Sequence, residues 1–390
     1  MKIVSYLNVS NPDALQADSG FIFQKLLLEE LKARGHRVLL VAPAEAAALT
    51  TVTVLPMAPP ATKYHARFAC DWEALNAVMQ EHWADTDALL VNQPELAATL
   101  KAMSYVEGNR EIPTATYVHY LPLLNSPEQP AIVDPSLDDG GLGQWSLGLL
   151  RTAVERSDVC IVGSEFGRRL IQAHVGRAKR IEVIPPPTDS TLRDLAESRP
   201  PGDILRLLYN QRLYDHYGTM QLFSELDRLS DEGVPFEVVV TAPTQWRSAP
   251  RRALAPDADL LQQALRERPY VRITSALDRG AYRDIMSGIH VGLAPFRQAP
   301  LWSMAMVDVL TAGRLVFAPR TGGYAEVMGV CSAGLWDSPD ELRRLVKGAA
   351  ENPPEPRQKL ADAAVQLWSA SEIARRFEST FTSIGAGGAR

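Results

Sequence analysis

Residues 290–327 combine acidic side chains with a glycine pair at a spacing that suits an anionic ligand. Their pattern predicts a buried strand ending at Pro295, an irregular loop, a helix with Asp308, a short strand, and a turn with Gly322-Gly323 and Glu326. Glycine allows close backbone approach, and backbone N–H groups at the carboxyl edge of a parallel sheet bind phosphate in α/β proteins. The order therefore predicts a nucleotide-binding edge with one acid and a ring of N–H groups.

Two series of short apolar strands alternate with helical segments along the chain. Strands that are apolar nearly end to end are typical of parallel sheets covered on both faces, so we predict two Rossmann-like α/β domains. The polar segment 189–203 contains a proline pair and no strand pattern, which predicts a hinge. We therefore expect an N-terminal domain at 1–188, a second domain at 204–369, and a helix in 370–390 that returns to the first domain.

Composition narrows the possible classes of protein. The 390 residues, 46% of them hydrophobic, supply two cores, and a net charge of −6 gives no overall attraction to nucleic acid or anionic lipid. Cys70, Cys160 and Cys331 are widely spaced, which favours buried thiols over disulfides or a zinc site. The N-terminus has the pattern of a first strand, and no run of about 18 apolar residues occurs. We expect a cytoplasmic protein with no membrane span.

Several stretches, in their order along the chain, resemble the retaining glycosyltransferases of the GT-B fold, in the large nucleotide-sugar-dependent group similar to glycosyltransferase family 4. The family's donor site carries an acid, seven residues, a second acid and a Gly-Gly-x-x-Glu turn. Asp308 matches the second acid, and the residues at 322–326 match the turn. Further matches are the loop at Gly20, the strand end at His119, the stretch IEVIPPPTD, the turn NQRLYDHYG and the closing helix WSASEIARRFESTF. The resemblance implies two Rossmann-like domains that face each other across a cleft.

The resemblance also implies which residues bind the donor. Asp308 would accept hydrogen bonds from the ribose hydroxyls, and the turn with Gly322, Gly323 and Glu326 would lie close to the sugar or phosphate. Gly20 would contribute a glycine loop from the first domain. An ordinary loop turn is the alternative for the glycine pair, and a solvated helix acid is the alternative for Asp308, although its apolar neighbours argue against that.

His119 and Arg212 are the two candidates for catalysis. In the resembling family the histidine contacts the donor sugar and does not act as a general base; a packed structural histidine is the alternative. The guanidinium of Arg212 could bind two phosphate oxygens and stabilise the leaving diphosphate without a metal. A surface or interdomain salt bridge is the alternative for Arg212.

Two positions depart from the family pattern. Pro300 stands where the first acid is expected, and a proline side chain accepts no hydrogen bond from a sugar hydroxyl. Tyr217 stands where a phosphate-binding lysine is expected, so His216 or a tyrosine hydroxyl would have to replace it. Either the sugar is held differently, or it is an unusual sugar, or catalysis has been lost.

Acceptor binding is assigned to Tyr120 and to a loop with an aromatic residue among cations: Trp246, Arg247, Arg251 and Arg252. These cations, with the basic residues of 168–180, either contact phosphate or pair with surface acids. Residues 210–243 are also similar to a branch of glycosyltransferases from bacteriophage genomes, some of which add sugars to modified bases in DNA.

Together these features predict a metal-independent glycosyltransferase that moves a sugar from a nucleoside diphosphate sugar, such as a UDP-sugar, to a hydroxyl of a small molecule or glycan. The resemblance implies a hexosyltransferase that retains the anomeric configuration. The acidic pair Asp138-Asp139 lies in a glycine-rich loop and is typical of a turn, so we expect no metal site and no other cofactor. Two alternatives stay open. One is a DNA glycosyltransferase acting on a hydroxymethyl base flipped out of duplex DNA; the other is an inactive GT-B binding module.

Overall fold

A computed structural model of the protein divides into two units, each with its own parallel sheet. The first unit comprises Met1–Pro187 and Ala370–Arg390, and the second comprises Thr188–Ser369. The structure describes residues 1–7, 9, 11–59, 70–121, 123–124, 132–133, 142–213, 217–241, 257–275, 278–296 and 300–387.

The first unit is built on a seven-stranded sheet of parallel strands. The seven strands of this sheet are β1 (Lys2–Tyr6), β2 (Arg37–Ala42), β3 (Thr53–Pro56), β4 (Ala88–Val91), β5 (Thr114–Val118), β8 (Val159–Val162) and β9 (Ile181–Val183). Between β5 and β8 the chain forms a separate antiparallel pair, β6 (Leu123–Leu124) and β7 (Ile132–Val133). The helices are α1 (Ser19–Ala33), α2 (Trp72–Met79), α3 (Pro94–Gly108), α4 (Leu142–Arg156) and α5 (Glu165–Leu170). The strand order is β3-β2-β1-β4-β5-β8-β9. Strands β1, β4, β5 and β8 are buried along their whole length, which accounts for the continuous apolar sequences of β4 and β8.

The second unit repeats this scheme with six strands in the order β12-β11-β10-β13-β14-β15. They are β10 (Leu205–Tyr209), β11 (Phe236–Thr241), β12 (Val271–Thr274), β13 (Val291–Leu293), β14 (Leu315–Pro319) and β15 (Leu335–Trp336). The helices are α6 (Thr219–Asp231), α7 (Asp257–Arg266), α8 (Arg279–Ser287), α9 (Met304–Thr311), α10 (Gly322–Val327), α11 (Pro339–Glu351) and α12 (Gln358–Trp368). The two Rossmann-like α/β sheets that the sequence predicts are thus confirmed.

The segment 189–203 belongs to the second unit. It contains a 3-10 helix, Ser190–Glu197, whose Leu192 and Leu195 pack in the apolar core. Arg314, only 1% exposed, donates through Nη2 to the backbone oxygens of Leu195, Ser198 and Ser287 at 3.2, 2.9 and 3.2 Å. Carbonyl groups at helix ends favour a cation, and although burial lowers the pKa of Arg314 to about 10, the side chain stays charged at neutral pH.

The last helix, α13 (Ala370–Gly387), belongs to the first unit. Its Phe377 and Phe381 are buried, and the ring of Phe377 lies 6.2 Å from that of Phe23 on α1 and 6.1 Å from that of Tyr117 on β5. Arg34, just after α1, pairs with Glu378 at 2.6 Å. The helix therefore completes a unit that begins at the opposite end of the chain. Among the described residues, no helix has the length and apolar character needed to cross a membrane.

Candidate functional site

Each sheet has a point at which the strand order reverses. In the first unit the chain proceeds from β1 outward to β3 and then returns to β4 on the other side of β1. In the second unit the same reversal occurs between β10 and β13. Open α/β sheets bind ligands outside the carboxyl ends of the strands at such switch points, so a ligand is expected at these two edges.

Three residues meet at the switch point of the first unit. Gly20 lies in the first turn of α1, Asn92 directly follows β4, and His119 directly follows β5. Nε2 of His119 hydrogen-bonds to Oδ1 of Asn92, and Nδ2 of Asn92 donates to the carbonyl of Gly20 at 3.4 Å. The structure therefore brings the predicted Gly20 and His119 together through Asn92. Tyr120, the next residue, is half-buried.

The contacts of His119 define its protonation. The carbonyl of Gly20 can only accept, so it orients the Asn92 amide with Oδ1 toward the imidazole, and Nε2 must then carry the proton. The ring packs against Tyr117 and Phe23, with centroid distances of 4.3 and 4.7 Å. Burial lowers the pKa of His119 to about 3. At neutral pH the side chain is an uncharged imidazole with a lone pair on Nδ1, suited to accept a hydrogen bond from a hydroxyl.

This depressed pKa makes a testable prediction for stability. An unfolded histidine has a pKa near 6.5, so between pH 6.5 and about 3 the unfolded state binds a proton that the folded state excludes. The contribution of the neutral His119 to the free energy of unfolding is fully present above pH 6.5 and is lost as the pH falls toward 3. We expect the free energy of unfolding of the wild type to decline by up to roughly 1.4 kcal/mol per pH unit more than that of His119→Gln. Urea denaturation at pH 7.5, 5.5 and 4.5 measures this difference, and parallel pH curves for the two proteins would contradict it.

At the switch point of the second unit, the residues after β10 are tied to the start of α9. Asn210 donates through Nδ2 to the Tyr282 hydroxyl at 2.9 Å and to the Ala305 carbonyl at 3.2 Å. Nε2 of Gln211 donates to Oγ of Ser303, the residue that caps α9, at 3.4 Å. Arg212 follows and is exposed, at the edge where the sequence predicts a phosphate.

Tyr217, in the position of the expected lysine, is 9% exposed and offers little surface to a ligand. Gly218, which follows it, has φ +70°, and a Cβ there would lie 2.7 Å from Cβ of Phe296. Glycine is therefore required at this turn by both its conformation and its packing.

Asp308 lies on α9 inside a polar network. Its carboxylate accepts from Thr188 Oγ1 at 3.4 Å and from Arg279 Nη1 at 3.4 Å. Arg279 also pairs with Asp189 at 2.8 Å, and its guanidinium carbon lies 4.9 Å from the centroid of the Tyr282 ring. Burial raises the pKa of Asp308, while Arg279 and the Tyr282 hydroxyl stabilise its charged form. With a side chain 13% exposed, Asp308 is not the solvated helix acid of the alternative interpretation.

The glycine turn differs in one respect from the sequence-based expectation. Gly322 begins α10 with φ +52°, but the N–H of Gly323 donates to the carbonyl of Pro300 at 2.7 Å. A Cβ at Gly323 would lie 2.4 Å from the carbonyl oxygen of Leu301. This N–H is therefore bonded within the chain, and the close approach that Gly323 allows here is one of the chain to itself. That the turn also lies close to a sugar or phosphate stays a prediction. Glu326 is half-buried on the same short helix.

Comparison with known proteins identifies the architecture. Residues 25–192 match the model of Glycosyltransferase Family 4. Sucrose-phosphate synthase from Thermosynechococcus elongatus superposes with a TM-score of 0.76 at 15% identity, covering 99% of this chain and 100% of that chain. The chain has the GT-B fold.

Two further GT-B structures contain nucleotides. HepE of Anabaena in complex with UDP gives a TM-score of 0.67 at 17% identity, with 98% of this chain and 100% of that chain covered. The catalytic domain of starch synthase IV from Arabidopsis thaliana, bound to ADP and acarbose, gives 0.65 at 10% identity, with 99% of each chain covered. No curated protein sequence matches the chain.

Part of the predicted acceptor surface of this GT-B chain lies outside the described residues, namely Trp246, Arg247, Arg251 and Arg252, as do His216 and the pair Asp138-Asp139. Among the basic residues of 168–180, Arg168, Lys179 and Arg180 form ion pairs with Glu165, Asp158 and Glu182. Those three cations fit the alternative in which they pair with surface acids. Within the described ranges, no three acidic, histidine or cysteine side chains form a group that could hold a metal.

Proposed function

We propose that the protein is a glycosyltransferase that takes a sugar from a nucleoside diphosphate sugar, without a metal ion, and transfers it with retention of configuration to a hydroxyl acceptor. The observation that carries the proposal is the environment of the Asp308 carboxylate. The position that the resemblance assigns to the ribose is a largely buried carboxylate paired with Arg279 at the switch point of the second sheet. The family match of residues 25–192 and the UDP and ADP complexes of structures with this fold support it.

Each candidate residue has a role in this proposal that follows from its chemistry. Asp308 accepts hydrogen bonds from the ribose hydroxyls, and the guanidinium of Arg212 binds oxygens of the diphosphate as negative charge grows on it. The neutral His119 accepts a hydrogen bond from a sugar hydroxyl through Nδ1. The leaving diphosphate takes the proton of the acceptor hydroxyl.

With three free cysteines and no disulfide, the protein suits a reducing compartment, and we propose that it acts in the cytoplasm.

A thermal-shift panel of nucleoside diphosphates and their sugars, with magnesium or with EDTA, tests the donor. A ligand at about 100 times its Kd stabilises the folded state by about 2.7 kcal/mol, or roughly 5–10 °C for a domain of this size. We expect one diphosphate, UDP or ADP, to give this shift equally in EDTA. A shift that requires magnesium contradicts metal independence, and no shift with any nucleotide favours the binding-module alternative.

The acceptor and the stereochemistry need a second assay. Once the donor is known, release of its diphosphate is followed with small hydroxyl compounds, glycans and hydroxymethylated duplex DNA as acceptors. NMR of the product's anomeric proton distinguishes retention from inversion. Transfer to the DNA alone would establish the DNA-modifying alternative.

A further inference from the structure

We propose that Arg279 and Asp189 are a pair of positioning residues that set the charge of Asp308, and through it the pH range over which the ribose is bound. Neither residue touches the ligand in this proposal. The inference rests on the proposed function, because it concerns the carboxylate assigned there to the ribose.

The geometry places one cation between two acids. Arg279, the first residue of α8, pairs through Nη2 with Asp189 at 2.8 Å and reaches Asp308 through Nη1 at 3.4 Å. All three side chains are largely buried, with exposed fractions of 26, 20 and 13%. Charges in such surroundings interact more strongly than in water, so a change at one of them alters the protonation of the others.

The two acids compete for the same guanidinium. Asp189 holds it closely and also accepts hydrogen bonds from the N–H and hydroxyl of Thr191. Despite its burial, the hydrogen bonds from Thr191 and the charge of Arg279 keep the pKa of Asp189 below its usual value. Asp308 makes the longer contact, and burial and the negative charge of Asp189 raise its pKa while Arg279 lowers it. Asp308 is therefore the acid whose charge depends on the balance between its two neighbours.

The remaining groups near Asp308 are uncharged at neutral pH. The Tyr282 hydroxyl accepts from Asn210 at 2.9 Å, which leaves its proton for Asp308. Thr188 adds a hydroxyl. The charged residues on the described elements that pack against α9 are all exposed at the surface: Arg193, Asp194, Glu197, Lys359 and Asp362. Arg279 and Asp189 are therefore the charges that face Asp308 in the described part of the chain.

Opposite substitutions should move the pH dependence of nucleotide binding in opposite directions. Binding of UDP, or of ADP if that diphosphate gives the thermal shift, is measured by calorimetry between pH 4.5 and 8 in the full-length protein. We expect Arg279→Gln to raise the pH at which binding is half lost by about one unit, since the attraction that keeps Asp308 charged is gone. Asp189→Asn should lower that pH, since the repulsion is gone and asparagine still caps the 3-10 helix. The ligand's own titration is common to all the proteins and cancels in the comparison.

Two controls separate this role from a structural one. Arg279→Lys keeps the charge and should return the midpoint, the pH at which nucleotide binding is half lost, toward that of the wild type. Asp194→Asn removes a 69%-exposed acid from the same 3-10 helix, where it pairs with Arg283, and should leave the midpoint unchanged. If Arg279→Gln fails to fold, the downward shift of Asp189→Asn still decides the question.

Two outcomes would overturn the inference, and they can be told apart. Weaker binding at every pH with an unchanged midpoint in both variants would reduce Arg279 and Asp189 to structural residues and leave the proposed function intact. A wild-type protein that binds neither UDP nor ADP at any pH would remove the proposed function itself, and this inference with it.

Discussion

Replacement of Asp308 by alanine is expected to weaken binding of the donor nucleotide by about 10- to 100-fold. Hydrogen bonds to a charged group contribute roughly 1.5–3 kcal/mol each, and the proposed contact is between the buried carboxylate and the ribose hydroxyls. Asp308→Asn keeps the shape and one acceptor, so it should show a smaller loss. The donor Kd from calorimetry, or the donor KM once an acceptor is known, measures the effect.

The matched control for Asp308 lies on the neighbouring helix α8. Asp284 is exposed, so Asp284→Ala removes a carboxylate from the surface of the same unit and should leave nucleotide affinity unchanged. Unfolding curves for all three variants show whether the second unit is intact. Unchanged donor affinity in a folded Asp308→Ala protein would remove Asp308 from the site.

Replacement of Gly323 by alanine is expected to lower the free energy of unfolding by about 3 kcal/mol or more. The added Cβ would lie 2.4 Å from the carbonyl oxygen of Leu301 and 2.7 Å from that of Pro300. These are backbone atoms that cannot rotate away, so α10 or the 300–301 segment must shift, with the cost of an overpacked core. For a unit of this size the melting temperature should fall by roughly 6–12 °C.

Gly329, just after α10, provides the comparison for Gly323. A Cβ at that position meets no atom within 4 Å, so Gly329→Ala should change the melting temperature little. Thermal unfolding of the two variants in parallel measures the difference. Equal melting temperatures would show that the contact of Gly323 with the 300–301 segment tolerates a side chain.

Much of the fold could be predicted from the sequence because the strands are buried on both faces. Strands such as Val159–Val162 are apolar from end to end, which marks a parallel sheet independently of any partner. Polar residues that directly follow such strands also carry a signal. His119, which the family resemblance indicates, directly follows β5, and Asn92, which directly follows β4, could have been predicted from that position alone.

The partners of the site residues could not be predicted, because they come together only in the folded sheet. Arg279 precedes Asp308 by 29 residues and follows Asp189 by 90, and neither separation has a period that a sequence pattern reveals. The hydrogen bond from Gly323 to Pro300 is likewise a tertiary contact. A glycine pair indicates that something approaches closely, but whether that is a ligand or the chain itself depends on the packing of a distant loop.

The first unit combines Met1–Pro187 with the late helix α13, and this affects the order in which the two units can fold during synthesis. A nascent chain emerges from the ribosome N-terminus first, and domains generally fold in that order. Here the first unit lacks Ala370–Gly387, and with it Phe377 and Phe381, until this last helix has been synthesised. The second unit, Thr188–Ser369, is complete earlier and is expected to be the first to reach its final form on the ribosome.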